Sequence, residues 1–291
     1  MAISLRKNLS RSESQRYWEL LRVLVERNLS ARYRGSILGI FWSLLNPLTM
    51  TGLYTAIFGG IFAEVYHGSL IRYALAAFTG LVIINFFSAA TSQALTSVVG
   101  NGPLLNKIRL PVSVFPVSVN VANIFQFAVG PLPFLAIFTV INVRHHVLET
   151  MTTPLSLPDL VGTIVTKSLI NLAIFPLPFL ALVLVCLGAG FLVAGLFVFF
   201  RDLPYFYELI VFVLWISSPV FYPASIVPPQ VRPFLDLNPL FPIIESTRQI
   251  VLSGEPPEVG MLVRALLGGL IIFGLGWSCF RSWRSQFMDL L

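Results

Sequence analysis

The chain has 291 residues, 56% of them hydrophobic and 11% charged, with a net charge of +6 and a mean hydropathy of +0.83. Such a composition excludes a water-soluble globular domain and marks an integral membrane protein. Long uninterrupted apolar runs favour α-helices, which satisfy their own backbone hydrogen bonds in lipid, over the alternating strands of a barrel.

Residues 1–34 are expected to form a cytoplasmic tail that carries an amphipathic helix over Gln15 to Leu29. Tyr17, Trp18, Leu21, Leu24, Val25 and Leu29 fall on one face at helical spacing, and Glu19, Arg22, Glu26 and Ser30 on the other, with Val23 the exception. The helix either lies on the cytoplasmic leaflet with Trp and Tyr at headgroup depth, or packs against soluble loops of the same protein. In both cases it leads rigidly into Arg32, so a force on it can enter the first span. No cleavable signal peptide is expected, because the first apolar run follows about thirty charged or amphipathic residues and is too long for a signal core.

The run RYRGSILGIFWSLLNPL, Arg32 to Leu48, joins a basic anchor to an apolar segment, and no further charge occurs until Glu64. That length crosses a hydrocarbon core of about 30 Å. Charge-free intervals then recur from Tyr73 to Asn106, Leu110 to Val143, Ser168 to Phe200, Leu209 to Val231 and Ala265 to Phe280. With Gly35 to Ala63 they predict six transmembrane helices, the fifth and sixth the least regular. The longest intervals are expected to tilt, extend beyond the bilayer, or break at Pro131, Pro133, Pro176 or Pro178.

The connection between the second and third spans, Gly100 to Pro111, opens with turn chemistry and carries Lys107 and Arg109 before a proline suited to starting a helix. It reads either as an inert turn or as a lever for a soluble partner. His145, His146 and Glu149 form the one His-acid cluster, in an expected outer loop, without the spacing of a helical zinc site. Cys186 and Cys279 lie in apolar spans without ligand neighbours and read as small buried residues.

After the fifth span, Pro219, Pro223, Pro228, Pro229 and Pro233 interrupt an apolar region, and Asn238-Pro239 opens a short helix running towards Ser253-Gly254. These read as re-entrant or interfacial helices, since irregular backbone at that depth must be buried in protein or line a cavity. Glu245 and Arg248, three apart, either pair locally or touch a polar substrate.

The side of each connection follows from the cations. Thirteen of the 19 Lys and Arg residues fall in the N-terminal tail, the second-to-third and fourth-to-fifth connections and the C-terminus, against six elsewhere. By the positive-inside rule both termini are cytoplasmic, the membrane-spanning body is 35–284, and 285–291 is a cytoplasmic tail. The net charge is thus a topology signal, and a nucleic-acid partner is not expected.

Absences narrow the function. The charge-free spans hold no acid or base of the kind a proton- or sodium-coupled transporter needs. Gly100 to Lys107 lacks the second glycine and the Ser/Thr of a phosphate loop, so the chain cannot hydrolyse ATP by the usual machinery. Its acids are scattered singly, unlike the metal-holding carboxylates of a membrane glycosyl- or phosphotransferase.

RYRGSILGIFWSLLNPL, the turn NKIRLP at Asn106 to Pro111, FRDLPYF at Phe200 to Phe206, and NPLFPIIESTRQIVLSG at Asn238 to Gly254 together resemble the permease subunits of type-two ABC exporters for O-antigen, capsular polysaccharide and teichoic acid. The resemblance runs in order from Arg32 to Arg284. It implies a homodimer of permeases in the inner membrane, served by two separate ATPase subunits that hold ATP and Mg, and a lipid-linked glycan as cargo. No cofactor is expected in this chain. The resemblance further implies that Arg22, Arg32, Arg34, Asn101, Lys107 and Arg109 lie at the coupling face. It places the channel on the first and fifth spans, and an outer gate near Ile226 to Ser253 that includes Pro228, Asn238, Glu245 and Arg248. On those spans Trp42, Tyr54, Phe58, Phe62, Trp215, Phe221 and Tyr222 could pack on apolar sugar faces without demanding one hydrogen-bond pattern. Lipid-facing or interfacial aromatics are the alternative for each. An exporter of drugs or small lipids, and a membrane enzyme or scaffold of envelope biosynthesis, remain the other readings.

Overall fold

A computed structural model describes residues 13–66, 68–105, 107, 110–150 and 157–290, and every regular element among them is helical. Helix α1, Glu13–Tyr33, lies against one end of a bundle. Leu21 and Leu24 are buried, and with Tyr17, Leu20 and Val25 they cover Val98, Leu105, Val114 and Phe115. The expected apolar face is therefore docked on the protein's own body, against both helices and the Gly100–Pro111 connection. Trp18 departs from that face at 65% exposure. One residue rotates the helix by about 100°, so a stripe centred on Leu21 and Leu24 leaves Trp18 on its flank.

The expected rigid run into the first span is interrupted. After Tyr33 the chain turns through Gly35 (φ +76) and Gly39 (φ +51), left-handed conformations that suit glycine. The Gly39 amide donates to Ser36 Oγ at 3.0 Å. Helix α2, Trp42–Phe62, then crosses towards the opposite end, and α3, Leu70–Ser97, returns. Ser69 caps α3 by accepting from the Arg72 amide at 3.3 Å. Helix α3 is the central strut: Phe78, Leu81, Ile84, Phe87 and Ala90 are all buried in the main core.

The next two apolar stretches are each split at proline. Helix α4, Val114–Val129, stops at Gly130, and α5 runs over Pro131–Thr150. Helix α6, Leu157–Ile174, stops before Phe175, and α7 covers Pro176–Phe199. Proline tolerates the first helical turn because its missing N–H has no partner there. Helix α6 also extends outward past the apolar interval, through Lys167 and Asp159. His145, His146 and Glu149 sit in the last turns of α5, not in a loop.

Helix α8, Leu203–Ser217, has 15 residues and so rises about 22 Å, short of the hydrocarbon thickness. The expected fifth span is thus not a helix of spanning length. Five other segments among the described residues are long and apolar enough to cross. Beyond α8 come the irregular residues 218–223, a 3-10 turn at Ala224–Ile226, a short helix at Arg232–Leu237, then α9, Leu240–Leu252, and α10, Val259–Trp283.

Helices α7 and α10 make the closest crossing, which small residues permit. A Cβ at Gly276 would collide with the carbonyl oxygen of Gly188, and one at Gly269 would sit 2.9 Å from that of Ala181. Gly274, on the same helix, has nothing within 4 Å of its would-be Cβ. Overpacking costs about 1–3 kcal/mol and more where backbone must move. Gly276→Leu is therefore expected to lower the thermal midpoint of the detergent-purified chain clearly, while Gly274→Leu leaves it nearly unchanged; light-scattering melts compare the two.

Candidate functional site

Tyr54, Phe58 and Phe62 recur every fourth residue on α2 and so share one face. Their rings follow one another at 6.0 and 6.1 Å. At one end Phe221 stacks on Tyr54 at 3.6 Å, and Trp215 lies 6.3 Å from Tyr54 and 4.9 Å from Phe221. At the other end Phe62 meets Tyr73 at 6.1 Å, and Tyr73 meets Tyr66 at 5.9 Å. A continuous aromatic wall results, joining α2, the end of α8 and the segment after it. Five of the seven aromatics singled out from the sequence are in it.

The other two are elsewhere. Trp42 lies at the α1 end beside a separate cavity. Tyr222 donates its hydroxyl to the carbonyls of Ile216 and Ser217 at 3.2 and 3.3 Å, closing the end of α8. Tyr66 and Tyr73 were missed because they belong to the turn before α3 and to α3 itself. Only tertiary packing brings them to α2; the Tyr73 hydroxyl donates to the Phe221 carbonyl at 3.0 Å.

Behind the wall lies a buried guanidinium. Arg248 on α9 is 4% exposed and donates to the carbonyls of Ala76 (3.1 Å), Pro219 (2.5 Å) and Val220 (3.0 Å). Its remaining edge faces Glu245 Oε2 at 3.6 Å, the local pair expected from the spacing. Gly80 makes room: a Cβ there would stand 3.1 Å from Val220 Cα and 3.3 Å from Arg248 Nη2. Asn238 secures the same junction. Its Oδ1 accepts from the Leu240 amide at 3.0 Å, while Nδ2 donates to Ser217 and Ser218 at 3.2 and 2.9 Å. Pro228 is exposed and its carbonyl accepts from the amides of Val231 and Arg232, starting the short helix.

At the far end from α1, a cavity of about 490 Å³ is bordered by Tyr66, Arg72, His146, Glu149, Glu245 and Arg248. Arg72 Nη2 reaches both carboxylate oxygens of Glu149 at 2.9 Å. Lys167 and His146 approach Glu255 Oε1 at 2.6 and 3.7 Å. Among the described residues no group of three or more His, Cys, Asp or Glu is placed to hold a metal ion.

At the α1 end, Arg32 turns into the bundle. Its guanidinium donates to Asn123 Oδ1 at 3.2 Å and to Gln93 Oε1. Burial pulls its pKa below the usual value, with Tyr33 acting weakly the other way. Arg22 pairs with Glu26 at 2.9 Å on the exposed face, a contact worth little on its own. Arg34 and Lys107 are exposed. Asn101 Nδ2 donates to the Ser97 carbonyl at 2.7 Å and terminates α3. Arg109 lies outside the described residues. Between α1, α3 and α4 a groove of about 530 Å³ is bordered by Arg27, Asn28, Gln93, Asn101 and Ser118.

The family model described as ABC-2 type transporter matches residues 19–252. Three curated proteins, each an O-antigen export system permease protein RfbA, resemble the chain over nearly its whole length. The one from Myxococcus xanthus is 25% identical over 279 residues, 95% of this chain and 97% of the relative. Two from Klebsiella pneumoniae are 27% identical over 274 residues and 25% over 276, each covering 94% of this chain and 95% of the relative.

Removing Arg248 would leave the non-helical carbonyls of Pro219 and Val220, and Glu245, without their buried partner. Breaking such an arrangement costs about 3–5 kcal/mol, so Arg248→Met is expected to unfold far more readily than Glu245→Gln, whose carboxylate is partly solvated. Denaturant titration of the two purified variants checks the order.

Proposed function

Because this chain belongs to the ABC-2 type transporter family, we propose that it is the transmembrane permease subunit of an ATP-driven exporter of lipid-linked polysaccharide. The observation that carries the reading is the aromatic wall from Trp215 and Phe221 through Tyr54, Phe58 and Phe62 to Tyr66. Ring faces pack on apolar sugar faces and impose no fixed register, which suits a polymer that must slide. The names of the three relatives support polysaccharide as the cargo.

In this reading two copies of the chain face each other in the inner membrane across the α2 wall, and both termini are cytoplasmic. The exposed apolar residues Leu45, Leu53, Ile57 and Ile61 on α2 would meet lipid or the second copy. The fifth of six crossings is completed by the extended residues after α8, and α9 re-enters as part of the outer gate. ATP and Mg belong to two separate ATPase subunits. Their stroke would arrive at α1 and at the turn carrying Lys107 and Arg109.

Two arms of one reconstitution experiment test this, using the permease and its ATPase in vesicles loaded with a lipid-linked glycan. Tyr54→Ala and Phe221→Ala should each slow glycan translocation by about fivefold, the equivalent of one ring contact of about 1 kcal/mol. Translocation at the original rate in both would remove the wall from the pathway. Reversing charge at Lys107 and Arg109 together should abolish substrate-stimulated ATPase while leaving membrane insertion intact, and normal stimulation would remove the turn from the coupling path.

A further inference from the structure

The cavity at the α1 end, about 520 Å³ between α2, α3 and α4, is lined by polar groups that the export reading leaves unused. Asn85 and Ser88 on α3 and Gln126 on α4 face it, although all three stand on apolar helices. Tyr33 Oη and Gln126 Oε1 are buried without a hydrogen-bond partner. Arg32 borders the same space. Its partners are the neutral amide oxygens of Asn123 and Gln93, and no carboxylate pairs with it among the described residues.

Such an arrangement is costly when empty. A half-buried cation gains from a counter-charge, and the buried polar atoms need partners. Water can satisfy the amides and the phenol, but it brings no charge. A phosphate brings both: guanidinium and phosphate form short, charge-assisted and often bidentate bonds, and Tyr33 Oη and Asn85 can donate to the remaining oxygens.

The surroundings specify the rest of the ligand. At the cavity mouth the elbow between α1 and α2 exposes Ile37, Leu38, Phe41 and Trp42. An anion with an apolar tail satisfies both surfaces, whereas a free anion leaves the elbow uncovered.

We propose that this cavity seats the phosphate of a phosphorylated lipid headgroup, with Arg32 as its principal ligand and the elbow holding the first part of the tail. This deepens the export reading on which it rests by assigning the lipid end of the cargo a place apart from the aromatic wall.

The test is a binding measurement on the purified full chain in detergent, without ATPase or ATP, so its outcome is separable from that of the transport assay. Farnesyl phosphate, farnesol and inorganic phosphate are compared by native mass spectrometry. The expected result is saturable farnesyl phosphate binding that Arg32→Gln weakens at least tenfold and Arg32→Lys largely restores. Ser88→Trp, which adds bulk to the cavity from α3 and leaves the Arg32 side chain unaltered, should also abolish it, with gel filtration confirming that each variant stays folded. Equal binding of farnesol would overturn the assignment of the phosphate. Full displacement of farnesyl phosphate by an equal concentration of inorganic phosphate would overturn the lipid source. Binding unchanged in both Arg32→Gln and Ser88→Trp would place any phosphate elsewhere and leave the cavity to water.

Discussion

Backbone that leaves its helix inside a bilayer persists only where protein supplies the hydrogen bonds that water would otherwise make. In this chain Arg248 supplies two of them, to Pro219 and Val220, and a third bond, to Ala76 of α3, ties that path to the helix. The irregular path after α8 can therefore lie against α3 at the bare backbone of Gly80. Phe221 is held by the same path, at ring-stacking distance from Tyr54. A charge that is expensive in lipid is thus matched by carbonyls that would be equally expensive alone. The aromatic wall, the seat of α9 and the far-end cavity all depend on this junction.

The other end of the bundle is organised by a different compromise. Two left-handed glycines cut α1 from α2, so helical continuity cannot transmit motion between them. Arg32 replaces that continuity by tying the last turn of α1 to Gln93 on α3 and Asn123 on α4, and Asn28 adds a bond to Ser118 at 3.2 Å. Movement of α1 is coupled first to α3 and α4, and to α2 only through the elbow. The elbow gives the first crossing freedom that a continuous helix would deny it.

Between these ends the molecule separates two kinds of surface. The α2 wall is a row of half-buried rings packed on one another. The cavity behind α2 sets amides, hydroxyls and a guanidinium among apolar side chains, and such polar groups favour fixed geometry. A cargo with a polymeric end and an anionic, lipidic end presents the same division. The close α7–α10 crossing, where glycines bring backbone against backbone, lies away from both surfaces and anchors the last helix to the core.

Much of this was legible in the residues. Hydropathy and the scarcity of charge specify membrane helices, because a buried charge and an unpaired backbone group are both expensive in hydrocarbon. Tyr54, Phe58 and Phe62 stand four apart in the sequence, which puts them on one face of any helix, and the spacing of Glu245 and Arg248 allowed the local pair that forms. What the sequence could not determine involves partners distant along the chain. Tyr73 and Tyr66 joined the wall only through packing of α3 on α2, and the fifth apolar interval held only a 15-residue helix because Arg248 and Asn238 stabilise an early exit. Arg32 reads along the chain as the end of a basic tail. Only the fold, by bringing Gln93 and Asn123 within its reach, turned it inward. Local order follows from periodicity and solvation; the aim of a single buried side chain is decided by whichever carbonyls and amides the tertiary structure places around it.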